Sequence, residues 1–267
     1  MQVTISDWAA APFAIGSESI FAVGDVHGCA AHLRSILDVV SQTPTPAGHR
    51  RRLVYLGDMI DRGPDNIGAL RLWAEGERAR SVDRVDRIMG NHEIMMLLCL
   101  EGGDHAAKAG AMWLSEAMGG GRACQAPSAR PSYALARDAL GEQVMSHLLA
   151  QRGHVRVGNA LFVHGGLDGE ADEHSFLTTS WKQFTDARWA WITRGFLDWK
   201  KGFGGTLAVH GHTPPDKHFP LTGMDDPHLF KEDRLGLDGG SARTGVVTAA
   251  QIETGRYRIF KAIGDLN

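Results

Sequence analysis

In "SIFAVGDVHGC" (19–29) an apolar run stops at a glycine, and Asp25 and His27 follow two residues apart, flanked by glycines. The same arrangement returns in "LVYLGDMIDRG", "RIMGNHE", "ALFVHGG" and "TLAVHGHT". Each run has the length and the β-branched or aromatic content of a strand, and each places Asp, Asn or His where the strand should end. Helical periodicity follows the first three: Leu33, Ile36, Leu37 and Val40, then Ile67, Leu70 and Trp73 in a helix opened by Pro64, then "IMMLLCL". A strand followed by a crossover helix wires a largely parallel arrangement, so the expected class is α/β. The C-terminal half, ending in a hairpin that turns at Thr254 and Gly255, reads as more antiparallel.

A chain of 267 residues without internal repeats or a Pro/Gly/Ser linker is expected to form a single domain over 1–267. One segment, 101–158, departs from the strand-turn-helix plan. It reads as a helix through Met118, a "GGGR" turn, a loop with Pro127 and Pro131, and a helix from about Tyr133 to Arg152, together a candidate helical cap over a site. The longest apolar run, "IMMLLCL", is too short to span a bilayer, and "MQVTISDWAAAPFAIG" lacks the basic start of a secretory signal. No membrane association and a cytoplasmic location are therefore expected. Three scattered cysteines (Cys29, Cys99, Cys124) fit reduced thiols, and a net charge of -3 argues against a nucleic-acid partner.

In layered α/β folds the strand ends form one rim, where residues distant in sequence converge. The inventory there is Asp25, His27, Asp58, Asn91, His164 and His212, with His210 nearby. These are oxygen and imidazole donors without a thiolate, suited to manganese, iron or zinc with open positions rather than to a closed structural zinc site. So many donors suit two divalent ions sharing a carboxylate, manganese being the first choice, and phosphoester hydrolysis is the matching reaction class. His92 could protonate a leaving oxygen, Asp61 could orient that imidazole, and Arg62 could clamp phosphate oxygens with its planar fork.

The ordered series "GDVHG", "GDMIDRG", "GNHE", "HGG" and "GHT", spread over most of the chain from Gly24, resembles the phosphoprotein phosphatase family of calcineurin-like metallophosphoesterases, in particular its compact bacterial and phage members. The resemblance implies a four-layer fold, a two-sheet β-sandwich flanked by helices, with a dinuclear site at one rim. It further implies Asp25 and His27 on the first metal, Asp58 as the bridge, and Asn91, His164 and His212 on the second, His212 being preferred over His210 by the glycine-histidine pairing. His92 would be the general acid with Asp61 as its partner, Arg62 one phosphate-binding arginine, and Arg194 in "WAWITRGFL" the second. The "LGLDGGSARTGVVT" stretch departs from the family pattern at Ser241 and Arg243, so no role is carried to Asp238.

The activity so implied is hydrolysis of phosphomonoesters, with phosphorylated proteins (phosphoserine and phosphothreonine) or small phosphoesters as substrates, by direct attack of a hydroxide held between the metals. The alternative is a diadenosine tetraphosphate hydrolase; "GNHE" and "DRG" lean away from it. A catalytically silent phosphate-binding sensor is a lower alternative, opposed by the presence of both His92 and Arg62. The crowded Trp181, Trp189, Trp191 and Trp199 read as core packing rather than as a base-stacking platform.

Overall fold

The computed structural model describes residues 1–121 and 131–266. Three consecutive strands, β3 (Glu18–Val23), β4 (Arg50–Tyr55) and β5 (Arg84–Arg87), pair in parallel, as the serial strand-turn-helix units require. Two short N-terminal strands, β1 (Gln2–Ile5) and β2 (Ala9–Ala10), and the C-terminal hairpin of β10 (Val246–Glu253) and β11 (Arg256–Ile263) complete this sheet, in the order β1-β11-β10-β3-β4-β5 with β2 also on β11. A second sheet has the order β6-β7-β8-β9, from β6 (His154–Val157), β7 (Ala160–Val163), β8 (Leu207–His210) and β9 (Arg234–Gly236).

The alternation of side chains along a strand decides what each sheet face buries. On β3 and β4, Ile20, Ala22 and Val54 meet Phe162, Val209 and Leu235 of the second sheet in one apolar cluster. The alternate residues Phe21, Val23, Leu53 and Tyr55 join the cluster of the flanking helices. The architecture is thus two facing sheets with helices outside, α/β in class.

Helix α1 (Ala30–Gln42) buries Leu33, Ile36, Leu37 and Val40, the apolar face read from the sequence. Helix α2 (Asn66–Ala74) begins two residues later than Pro64, because the Asp65 side chain accepts the Gly68 amide and takes the N-cap. Helix α3 (Asn91–Glu101) is buried nearly all round, as "IMMLLCL" demands. The expected antiparallel C-terminal half is corrected in part: β10 and β11 form the hairpin, but β7, β8 and β9 run parallel. Long connections after β7 and β8 bring the chain back in the same direction, which a tight turn cannot do.

The 101–158 segment is divided in its packing. Helix α4 (Ala106–Trp113) lies against α3, while α5 (Tyr133–Leu140) and α6 (Glu142–Leu149) pack on α2. The single helix expected near 133–152 is two, broken at Gly141, whose φ of 84° favours glycine. Cys124 and Pro127 lie outside the described residues. No helix among the described residues is long and apolar enough to cross a membrane.

Candidate metal centre

Six strand ends of the two sheets converge at one rim, and residues just beyond five of them, all but β7, line a cavity of about 490 Å³. β3 delivers Asp25 and His27, β4 delivers Asp58, Asp61 and Arg62, and the loop after β5 starts α3 with Asn91 and His92. From the second sheet, His164 follows β7, His212 follows β8 and Asp238 follows β9. Backbone bonds tie these loops together: the Val26 and His27 amides both donate to Asp58 O, and the Gly211 amide donates to His164 O.

Among the described residues, nine non-glycine positions have positive φ, and five of them are His27, Asp58, Asp61, Arg62 and His212. Backbone in that region is costly for an L residue and is held only where surroundings over-determine it, so the strain is concentrated at the cavity. Two glycines show how little room remains. A Cβ on Gly90 would fall 2.2 Å from Asp58 Oδ1, and one on Gly211 would fall 2.1 Å from Asp25 Oδ1.

The donors form two groups that share Asp58. His27, Asp58 and His92 offer atoms within 4.8 Å of one another, and so do Asp58, His164 and His212. His27 Nε2 is 3.7 Å from Asp58 Oδ2 and 3.9 Å from Asp25 Oδ2. His164 Nε2 is 3.4 Å from Asp58 Oδ2, and Asn91 Oδ1 is 3.0 Å from both His164 Nε2 and His212 Nδ1. The rings are aimed by their other nitrogens: His27 Nδ1 donates to Ile60 O and His164 Nδ1 to Leu56 O, each at 2.8 Å, and His212 Nε2 donates to Trp191 O at 3.2 Å. A carbonyl can only accept, so the neutral His212 ring faces Asn91 Oδ1 with a lone pair. Two acceptors converging at 3.0 Å suit a shared cation.

Electrostatics point the same way. Burial raises the Asp25 carboxyl well above its usual range, with Asp238 adding to it, and burial likewise lifts Asp238 to about 6. Burial would raise Asp58 too, but His164, His92 and His27 hold it well below the usual range. Burial opposes a charge on His164, yet the Asp58, Asp25 and Glu93 carboxylates lift it to about 10. Burial pushes His27 and His212 down to about 3, leaving neutral rings of the kind a metal takes. The crowd of buried carboxyl groups, with neutral rings at His27 and His212 and a His164 that takes a proton in answer to their charge, fits a pair of divalent ions as resident cofactor.

Beside this group, His92 Nδ1 is 2.6 Å from Asp61 Oδ2, and its buried Nε2 has no hydrogen-bond partner among the described residues and stands 3.9 Å from Asp58 Oδ2. Arg62 Nη1 donates to His27 Nε2 at 2.8 Å across the cavity wall. Arg194 opens a short helix (Arg194–Leu197), is exposed, and does not line the cavity. Among the described residues, the basic side chains that do are Arg62, Lys217 and Arg243. His210 turns into the core against Phe196, with ring centroids 4.9 Å apart, while His212 reaches the donor group. Cys29 is buried just behind His27, and burial pushes its thiol up to about 11. Of the tryptophans, Trp189 is core and Trp191 lines the cavity.

Three residues here had no assigned role in the sequence. Asp238 lines the cavity and is buried. Glu93, part of "GNHE", accepts the amides of Asp58, Met59 and Gly90 at 2.8, 2.8 and 3.0 Å. Trp113 donates from Nε1 to Asp61 Oδ2 at 2.8 Å, and nothing in "AMW" distinguishes it from an ordinary core residue.

The chain is similar to proteins of known structure and to curated relatives. It shares 28% identity over 149 residues with the symmetrical bis(5'-nucleosyl)-tetraphosphatase of Paracidovorax citrulli, covering 56% of this chain and 44% of that protein. With the protein of the same name from Ralstonia nicotianae it shares 39% over 84 residues, 30% of this chain and 25% of that one. The chain therefore spans less than half the length of these curated relatives. A solved structure described as a diadenosine tetraphosphatase superposes with a TM-score of 0.55 at 20% identity, covering 94% of this chain and 96% of the other. A cold-active protein-tyrosine phosphatase from a psychrophilic Shewanella also gives 0.55, at 18% identity over 90% of this chain and 77% of that one. At such identities these likenesses show the fold. Residues 19–238 match the family described as calcineurin-like phosphoesterase, and the chain belongs to that family.

Proposed function

We propose that this chain hydrolyses phosphomonoesters at the cavity, with phosphoserine and phosphothreonine side chains of proteins as the substrate class. One observation carries the reading: two donor groups meet at a shared Asp58, with His92 opening on the same space. When bound there, a pair of divalent ions, manganese being the first expectation, supplies Lewis-acid charge to a phosphoryl oxygen and lowers the pKa of water. Asp25 and His27 would hold one ion, Asn91, His164 and His212 the other, and Asp58 both. Arg62 presents a planar fork to the phosphoryl oxygens. His92 donates its Nε2 proton to the departing ester oxygen, and Asp61 keeps Nδ1 bonded so that Nε2 faces the reaction. Burial pushes the ring down to about 4, with Asp58 acting against the shift and Arg62 and His164 adding to it, and the hydrogen bond from Nδ1 to the Asp61 carboxylate favours the doubly protonated form.

A second reading, hydrolysis of dinucleoside polyphosphates, is favoured by the names of the curated relatives and by Lys217 and Arg243 on the cavity wall, which could meet further phosphates. Metal-stripped protein refilled with manganese would be offered an aryl phosphate, a phosphothreonine peptide and diadenosine tetraphosphate. The peptide should be preferred. Preference for the dinucleotide replaces the first reading with the second, and silence on all three with metals bound refutes both.

A further inference from the structure

Trp113 sits at the end of α4, a helix that packs on α3 from outside the strand-turn-helix plan. Its side chain is fully buried, and its indole N–H is spent on a carboxylate oxygen: Nε1 lies 2.8 Å from Asp61 Oδ2. The same oxygen is 2.6 Å from His92 Nδ1. An indole N–H can only donate, so Asp61 Oδ2 is an acceptor toward Trp113, which favours its charged form and leaves the second contact to a hydrogen on His92 Nδ1. That fixes the tautomer in which His92 Nε2 is the atom free to exchange a proton on the cavity side. The surrounding chain fits closely: a Cβ on Gly120 would meet Trp113 O at 2.2 Å, and one on Gly119 would meet the Arg62 amide at 3.1 Å. Met118 Sδ accepts from Arg62 Nη2 at 3.7 Å.

We infer that Trp113 is a positioning residue for proton delivery by His92, acting through Asp61, and that the 106–120 segment completes the acid rather than only covering the cavity. The inference rests on the proposed hydrolase reading. In the step itself the doubly protonated His92 ring loses its Nε2–H as the leaving oxygen gains that proton, the P–O bond electrons stay on that oxygen, the ring is left as the neutral Nδ1–H tautomer, and Trp113 and Asp61 exchange no proton. A Trp113 that only filled space would affect all substrates alike. One that orients the acid matters in proportion to how badly the leaving group needs a proton.

The test is Trp113→Phe, which keeps most of the ring and removes the N–H, assayed with manganese on p-nitrophenyl phosphate and on a phosphoserine peptide. The expected result is a fall in kcat of about tenfold or more on the peptide, little change in its KM, and a loss several-fold smaller on the nitrophenyl ester. In an Asp61→Asn background the same substitution should add almost nothing. Equal losses on both esters, or full additivity with Asp61→Asn, overturn the inference. If the variant does not fold, the wild-type protein still decides by NMR. The Trp113 indole proton, assigned by its proximity to the His92 ring, should be slow to exchange and shifted downfield, whereas a fast-exchanging, unshifted signal contradicts the bond. Absence of all turnover in metal-loaded wild type would instead sink the hydrolase reading and leave this NMR result standing on its own.

Discussion

The Glu93 carboxylate accepts the backbone N–H of Asp58 at 2.8 Å. Through the Met59 and Gly90 amides it also clamps the two loops between which the shared carboxylate stands. Asp58 has a φ of 52°, a conformation its own side chain does not favour, and the clamp is what opposes its relaxation.

Glu93→Gln should therefore destabilise the fold while leaving the ligands' identities intact. The amide end cannot accept, so at least one buried N–H loses its partner, at a cost of about 1–3 kcal/mol. For a chain of this size that is a drop in Tm of roughly 2–4 °C per kcal/mol. Calorimetry of the metal-loaded variant checks it; an unchanged Tm would mean that the Asp58 loop holds its shape without the clamp.

Asp58→Asn should remove activity and deplete both metals together, since each donor group draws on this side chain. The replacement keeps size and loses charge among four histidines that face it. Metal content by mass spectrometry is the readout. Near-normal loading in the variant would contradict a bridging role.

Much of this was legible in the chain because a strand's end is a fixed address. Glycine after an apolar run marks where backbone turns: Asp25, Asp58, Asn91 and His212 each stand one residue beyond such a mark, and His164 stands one residue before it. Strand direction was not legible: the side-chain alternation in "LFV" and "LAV" is the same whichever way the neighbour runs, so the parallel pairing of β7, β8 and β9 was missed. The short strands β1 and β6 escaped because four residues with exposed positions carry little periodicity. Trp113 escaped for a different reason. Its partner, Asp61, lies 52 positions away, and only the docking of α4 on α3 brings indole and carboxylate together. The cationic wall has the same origin, since where Lys217 and Arg243 point depends on how the helices Pro215–Thr222 and Ser241–Thr244 are seated.

That wall yields a prediction about substrate size. Arg243 is held in place by both oxygens of Asp216, and Lys217 lines the cavity beside it. Both are solvent-exposed, so each is worth little against a compact monoester and more against a chain of phosphates that can reach them. Lys217→Ala combined with Arg243→Ala should reduce kcat/KM for diadenosine tetraphosphate by roughly five- to tenfold more than for an aryl phosphate. Proportional losses would mean that no phosphate beyond the scissile one meets this wall.

His92→Asn should retain metals and fold but lose turnover most on esters with poor leaving groups. Removal of a general acid typically costs about 10²–10⁴ in rate. A series of phenyl phosphates of rising leaving-group pKa gives the slope, which should steepen in the variant. Parallel lines for variant and wild type would assign His92 to metal binding, which its 3.9 Å distance from Asp58 Oδ2 permits.

Away from the metals, two buried histidines predict how the fold responds to acid. Burial pushes His218 down to about 4, helped by the nearby His228 and Arg234, and its ring stacks on His210 at 6.2 Å. His228 is lowered by burial as well, with Lys261 acting in the same direction and Asp226 against it, and its nitrogens meet Gly236 O and Thr248 Oγ1. In the unfolded chain these rings take up a proton near pH 6.5, whereas the folded protein resists until lower pH. The unfolded state therefore binds more protons below about 6.5, and stability must fall with pH from there toward 4. His218→Leu removes one such group. Its Tm should decline less steeply than that of the wild type between pH 6.5 and 4, measured at saturating metal so that the centre contributes equally to both. Superimposable slopes would mean that His218 is protonated in the fold as readily as in the open chain, and that its packing between His210 and Thr222 is looser than the 2.9 Å bond to the Thr222 hydroxyl implies.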